Sequence, residues 1–209
     1  MTLSNPIVER YKRYRSAGNK LNHKIIDAMM TKDILEIAGV ALGIKEKKKK
    51  LVILESENEA DDLMDFALYE VLLDGKNLVT HYADEIGGSS RTERDLLTAM
   101  RTARPCLFRV IAIQPASFQV EMEDVIEHKR ILKLTDLGLS QSIEKDIILF
   151  FRPLELAECT MTSGVGYPFH PNMEKELIEI WHTLLAEKRY AKYFELSRRS
   201  GISMGYLPI

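Results

Sequence analysis

PCLFRVIAIQPASFQVEMEDVIEHKRILKLTDLGLSQSIEKDIILFFRPLELAECTMTS, residues 105–163, is the stretch from which the rest of the chain is read. Within it, CLFRVIAI (106–113), SFQVEME (117–123), RILKLT (130–135), DIILFFRPL (146–154) and ECTMTS (158–163) are short runs rich in Val, Ile, Leu and Phe. That composition belongs to strands, and Gln114-Pro115, the region of Glu127 and His128, a connection holding Gly138, Ser140, Gln141 and Ser142, and Ala157 separate them. Phe118, Val120 and Met122 alternate with Gln119, Glu121 and Glu123, the period of a half-buried strand. Five short strands with short connections predict a small five-stranded antiparallel β-barrel, SH3-like or OB-like, because closure removes exposed edges. CLFRVIAI and DIILFFRPL are apolar on both faces, so flanking helices are expected to cover one of them.

Before this stretch the sequence reads as helix. Ser4-Asn5-Pro6 offers a cap followed by proline at the first helical position. Ile7, Tyr11, Tyr14, Gly18, Leu21, Ile25 and Ala28 then recur at alternating spacings of four and three. This heptad-like stripe serves either an internal packing face or a homodimer seam, on one long helix or two joined near Gly18. Thr31 caps a second helix that stops at Gly43. Ser56-Glu57-Asn58-Glu59 forms a capping box for a third, running to about Leu72. Helices are also expected near 78–82 and over 91–103. Gly164-Val165-Gly166 reads as a turn, and after it and Pro168 a helix is expected from about Asn172. Leu177, Ile180, Trp181, Leu184 and Leu185 form its apolar face. The fold class is thus α+β: a mainly helical region over 1–104, the barrel over 105–166, and a helical region over 167–209 packing back.

Composition narrows the function classes. With 209 residues, 45% apolar and 29% charged, the chain is an ordinary globular one. A net charge of −2 gives no global pull toward nucleic acid or an anionic membrane. No run approaches the roughly 20 apolar residues of a span, and MTLSNPIVERYKRYR lacks the apolar segment of a secretory leader. The cytoplasm is the expected setting, without membrane association. Cys106 and Cys159 lie inside expected strands with no Cys or His at ligand spacing. They read as buried free thiols, with a disulfide between two strands left open.

The motifs MDFALYE, GKNLV, ERDLLTAM and LFRVIAI, then VEMEDVIEHKRILKLTDLGLS with ILFFRPLE, occur in that order over roughly residues 55–155. This succession resembles a family of uncharacterised prokaryotic proteins related to those carrying a C-terminal SEC-C zinc motif. The turn here reads EDVIEHK, without the family's glycine, and no cysteine follows Cys159, so the zinc motif is missing. The resemblance implies a fold and a prokaryotic cytoplasmic setting. It implies no activity.

Two groups of residues could carry chemistry. Glu57, Asp61 and Asp65, spaced by four, line one helical face. They serve as dipole-stabilising carboxylates, as partners for a basic surface, or as oxygen ligands for a hard divalent cation. The positive residues form two sets: Lys47, Lys48, Lys49 and Lys50 in the densest basic run, and Arg109, Arg130, Lys133 and Arg152 on the barrel. Either set could contact an anion or nucleic acid, since small barrels bind single strands through a basic groove with exposed aromatics. The five histidines are scattered, and TSGVG around Ser163 is not a nucleophile elbow. With no catalytic set and no cofactor motif, the expected function is a non-catalytic binding module. Its partner would be a protein, RNA or single-stranded DNA. The alternatives are a divalent-metal hydrolase of phosphate esters acting through the acidic helix, and a structural protein dimerising through the N-terminal helix.

Overall fold

The structure, a computed structural model, describes residues 5–45, 58–128, 130–200 and 202. Local signals set the helices. Helix α1 (Pro6–Met29) is unbroken through Gly18, and the Asn5 side chain accepts from the Ile7 amide at 3.0 Å. Thr31 caps α2 (Lys32–Ala41) through the Ile34 amide at 3.3 Å, and Gly43, at φ +72°, ends it. Helix α3 (Glu59–Tyr69) begins beside residues outside the described set, so its expected capping box lies mostly there. It ends at Tyr69 rather than Leu72. Asn77 caps α4 (Leu78–Glu85) and Ser90 caps α5 (Arg91–Thr102).

The strands are β1 (Cys106–Gln114), β2 (Gln119–Asp124), β3 (Ile131–Thr135), β4 (Ile148–Glu155) and β5 (Thr160–Phe169). The short helix α6 (Leu139–Ser142) separates β3 from β4. The strands pair in the order β1-β2-β3-β5-β4, and β4 pairs back onto β1, so the sheet closes on itself. The expectation of an antiparallel sheet is corrected at one ladder: β3 and β5 are parallel, which makes the sheet mixed. The reason is topological. Chain order carries the fifth strand across to lie between β3 and β4, and there it must run alongside β3.

A second correction concerns residues 164–168. The sequence predicts that the fifth strand stops at Ser163, with a turn at 164–166; instead these residues continue β5, with a bulge. Phe151 pairs with Gly166 and Pro153 with Thr162, so β5 carries extra residues opposite Arg152. Gly164 sits in the bulge at φ +132°, which side chains rarely adopt. Phe118, expected to point inward, is instead left-handed at φ 56° and half-buried, outside the alternation continued by Val120 and Met122.

The closed sheet is filled by Phe108, Val110, Val120, Met122, Leu134 and Phe151, with Leu139 of α6 at the edge of the plug. Its outer face is buried too, as the two-faced apolar strands implied. Phe150, Tyr167 and Phe169 pack against Tyr190, Tyr193 and Phe194 of α8 (Ala186–Ser200). Helix α7 (Glu174–Thr183) buries fully only Leu177, and Leu185 is exposed. Tyr11, Tyr14, Leu21 and Ile25 of the α1 stripe are at most 3% exposed within the single chain. Those four residues are therefore spent on packing within the chain, while Ala28 of the same stripe is exposed. Cys106 and Cys159 are free and only half-buried. No helix among the described residues is long and apolar enough to cross a membrane.

Candidate functional site

A cleft of about 1220 Å³ opens between α1, the start of α3, the β5 bulge and α8. Lys12, Ser16, Lys20 and His23 of α1 line one wall, spaced by four, four and three, so one helical face presents them all. All are exposed, and Lys12, Lys20 and His23 have no carboxylate partner among the described residues. Glu59, Asp61 and Asp62 of α3 stand on the other wall. Gly164, Val165 and Gly166 supply a floor of nearly bare backbone, beside Pro168 and Phe194.

Arg15 also reaches the cleft but is already committed. Its guanidinium donates to the Thr162 carbonyl (3.0 Å), to Thr162 Oγ1 (2.9 Å) and to Asp136 (3.4 Å), tying α1 to the sheet. Glu59 accepts two hydrogen bonds from Arg198 of α8, at 2.7 and 3.1 Å. Asp61 is exposed and has no partner among the described residues. Asp62 is only 8% exposed and accepts a hydrogen bond from the Tyr167 hydroxyl at 3.0 Å. Burial pushes its carboxyl up to about 7. The Tyr167 hydrogen bond opposes the rise, and the neighbouring Asp65, Glu59 and Asp61 add to it. A cleft carboxyl of this kind holds or releases a proton near neutrality.

Behind the cleft lies a buried polar knot. The Tyr190 hydroxyl donates to Asp65 at 3.0 Å. Arg152 of β4 reaches Asp65 (3.5 Å), Glu70 (2.5 Å) and the Ala103 carbonyl (3.4 Å), with its guanidinium 4.1 Å from the Tyr69 ring centre. Burial works against the Arg152 charge, yet Asp65 and Glu70 outweigh it and its pKa lies above the ordinary value. Burial likewise raises the Tyr167 and Tyr190 hydroxyls well above theirs.

The residues expected from sequence divide accordingly. Asp61 lines the cleft, whereas Asp65 turns into the knot; Glu57 lies outside the described residues. Among the described residues no three His, Cys, Asp or Glu side chains converge as a metal site. Lys47, Lys48, Lys49 and Lys50 also lie outside the described set. Arg109 pairs with Glu123 and Glu174, Arg130 with Glu155 and Asp124, and Lys133 with Glu121. Arg152, at 2% exposure, is a core residue. The barrel cations are thus matched by carboxylates on and around the sheet. Sequence reasoning missed Lys12, Lys20 and His23 because it followed only the apolar stripe of α1. The signal was the polar face of the same helix.

A family model covers nearly the whole of this chain, matching residues 6–207: the chain belongs to DUF7986, a family of unknown function. Neither curated proteins nor solved structures yield a match. The assignment agrees with an uncharacterised family, and no link to SEC-C proteins accompanies it.

Proposed function

We propose that this member of DUF7986 is a non-catalytic binding module that seats a single-stranded nucleic acid in the cleft between α1, α3 and β5. The observation that carries this reading is the row of Lys12, Lys20 and His23, exposed and without carboxylate partners among the described residues, along one wall of a large cleft. Lysine ammoniums that no described carboxylate pairs are the ones available to neutralise phosphates and release their counterions. The fold lends support by analogy. A three-strand meander, a helix, and a fifth strand lying parallel to the third favour the OB-like alternative over the SH3-like one. OB-like barrels commonly take oligonucleotides. In this chain the β2–β3 face carries Glu121 and Glu123 against Arg109 and Lys133, and its charges cancel. The cleft is the better seat.

The metal-hydrolase alternative draws no such support, since Asp65 would have to leave Arg152 and Tyr190 to ligate a cation beside Asp61. The test is fluorescence anisotropy of labelled single-stranded RNA and DNA at about 50 and 200 mM salt. Micromolar binding that weakens with salt, and that Lys12→Glu with Lys20→Glu abolishes, is the expected result. Absence of salt-sensitive binding at micromolar protein removes the proposal.

A further inference from the structure

The two walls of the cleft carry opposite charge, and this constrains the ligand beyond its being an anion. A bare polyanion gains along Lys12 and Lys20 but meets Asp61 and Asp62 across the cleft. Arg198 offsets Glu59, and Tyr167 binds Asp62 through one oxygen; Asp61 is exposed and has no partner among the described residues. Ionised carboxylates only accept hydrogen bonds; Asp62, its carboxyl pushed up to about 7, does so on the alkaline side of that value, so titrations of this cleft belong at about pH 8. A ligand lying between these walls must therefore present phosphates on one side and hydroxyl or amine donors on the other.

The dimensions favour a strand over a single small molecule. From Lys12 to His23 the α1 wall is about 16 Å long at a helical rise of about 1.5 Å per residue. The cleft volume of about 1220 Å³ exceeds that of an ordinary small-ligand pocket. The floor permits close approach as well: a Cβ built at Gly164 would meet no atom within 4 Å.

We propose that the cleft reads ribose, with Asp61 and Asp62 accepting hydrogen bonds from 2′-hydroxyls of an RNA strand whose phosphates lie along Lys12 and Lys20. The 2′-hydroxyl is the donor that RNA has and DNA lacks. This inference rests on the nucleic-acid reading above, and its test separates the two. Oligo(U), oligo(dU) and 2′-O-methyl oligo(U) of equal length present the same base and differ at the 2′ position. Anisotropy titrations should show oligo(U) binding at least tenfold more tightly than either of the others. In Asp61→Ala combined with Asp62→Asn the oligo(U) affinity should fall toward that of oligo(dU), closing the gap. Asp61 is exposed, and asparagine at 62 retains an acceptor for Tyr167, so the variant should keep its circular dichroism spectrum and thermal midpoint. Equal, salt-sensitive binding of all three oligomers would overturn ribose recognition while leaving the binding module standing. A preference that survives the double substitution would overturn the role of the two carboxylates. Binding of none would end both proposals.

Discussion

Asp62 is where burial and chemistry meet at the scale of one residue. Its folded pKa of about 7 lies above the 3.8 of an ordinary aspartate. Between about pH 4 and pH 7 the folded chain therefore holds a proton that the unfolded chain has lost. Stability must fall as pH rises through that window, at most by about 1.4 kcal/mol per pH unit from this group. Asp62→Asn removes the titration and keeps the shape. Urea unfolding at pH 5 and pH 8 should show the natural protein losing on the order of 2 kcal/mol more than the variant over that range. An equal loss in both would assign the pH dependence elsewhere. Glu93 acts with the opposite sign. Hydrogen bonds from Lys24 and Ser89 hold its carboxyl down to about 2, so its contribution is lost only as pH falls below the ordinary glutamate range.

The elements behave as their local signals require, with two glycines marking the difference between propensity and packing. Gly18 sits mid-helix in α1, where a Cβ would lie 3.7 Å from Met161 and 3.9 Å from Leu96, ordinary contact distances. Glycine in a helix interior costs about 0.5–1 kcal/mol relative to alanine. Gly18→Ala should therefore stabilise the protein, raising the thermal midpoint by roughly 2–4 °C in a calorimetric scan. At Gly88 a Cβ would come within 2.7 Å of the Arg94 amide nitrogen and 2.9 Å of the Glu93 carbonyl carbon. Gly88→Ala should lower the midpoint, because the first turn of α5 would have to move. The reverse ordering of the two variants would refute this reading. Helix starts near Asn5 and at Thr31 were legible because a cap is a contact between near neighbours in the chain. The length of β5 was not. Glycine and proline between 164 and 168 read as a turn, and only pairing with β4 turns them into a bulged strand.

At the scale of the whole molecule, Arg152 joins the helical and sheet layers. It connects β4 to Asp65 within α3, to Glu70 just past the end of that helix, and to the carbonyl that follows α5. Truncating one member of a buried ionic cluster leaves its partners uncompensated. Arg152→Leu should cost about 3–5 kcal/mol in urea unfolding, and a change below about 1 kcal/mol would show the cluster to be structurally idle. The site depends on the same assembly. The cleft exists because α1, α3 and α8 converge on the β5 bulge from distant parts of the chain.

Periodicity and caps lie in the sequence itself, so the α+β class, the five strands, the apolar stripe of α1 and the need for helices over a two-faced sheet were all determined there. Each follows from interactions among residues a few positions apart, or from an apolar surface that must be covered. The parallel seating of β5 beside β3, the burial of Arg152 and the split between Asp61 and Asp65 were decided only by the tertiary structure. So was the position of Lys12 and Lys20, which meet no carboxylate among the described residues. Each depends on which distant side chain arrives opposite a given position, and a charge in the sequence reads the same whether a carboxylate awaits it in space or not.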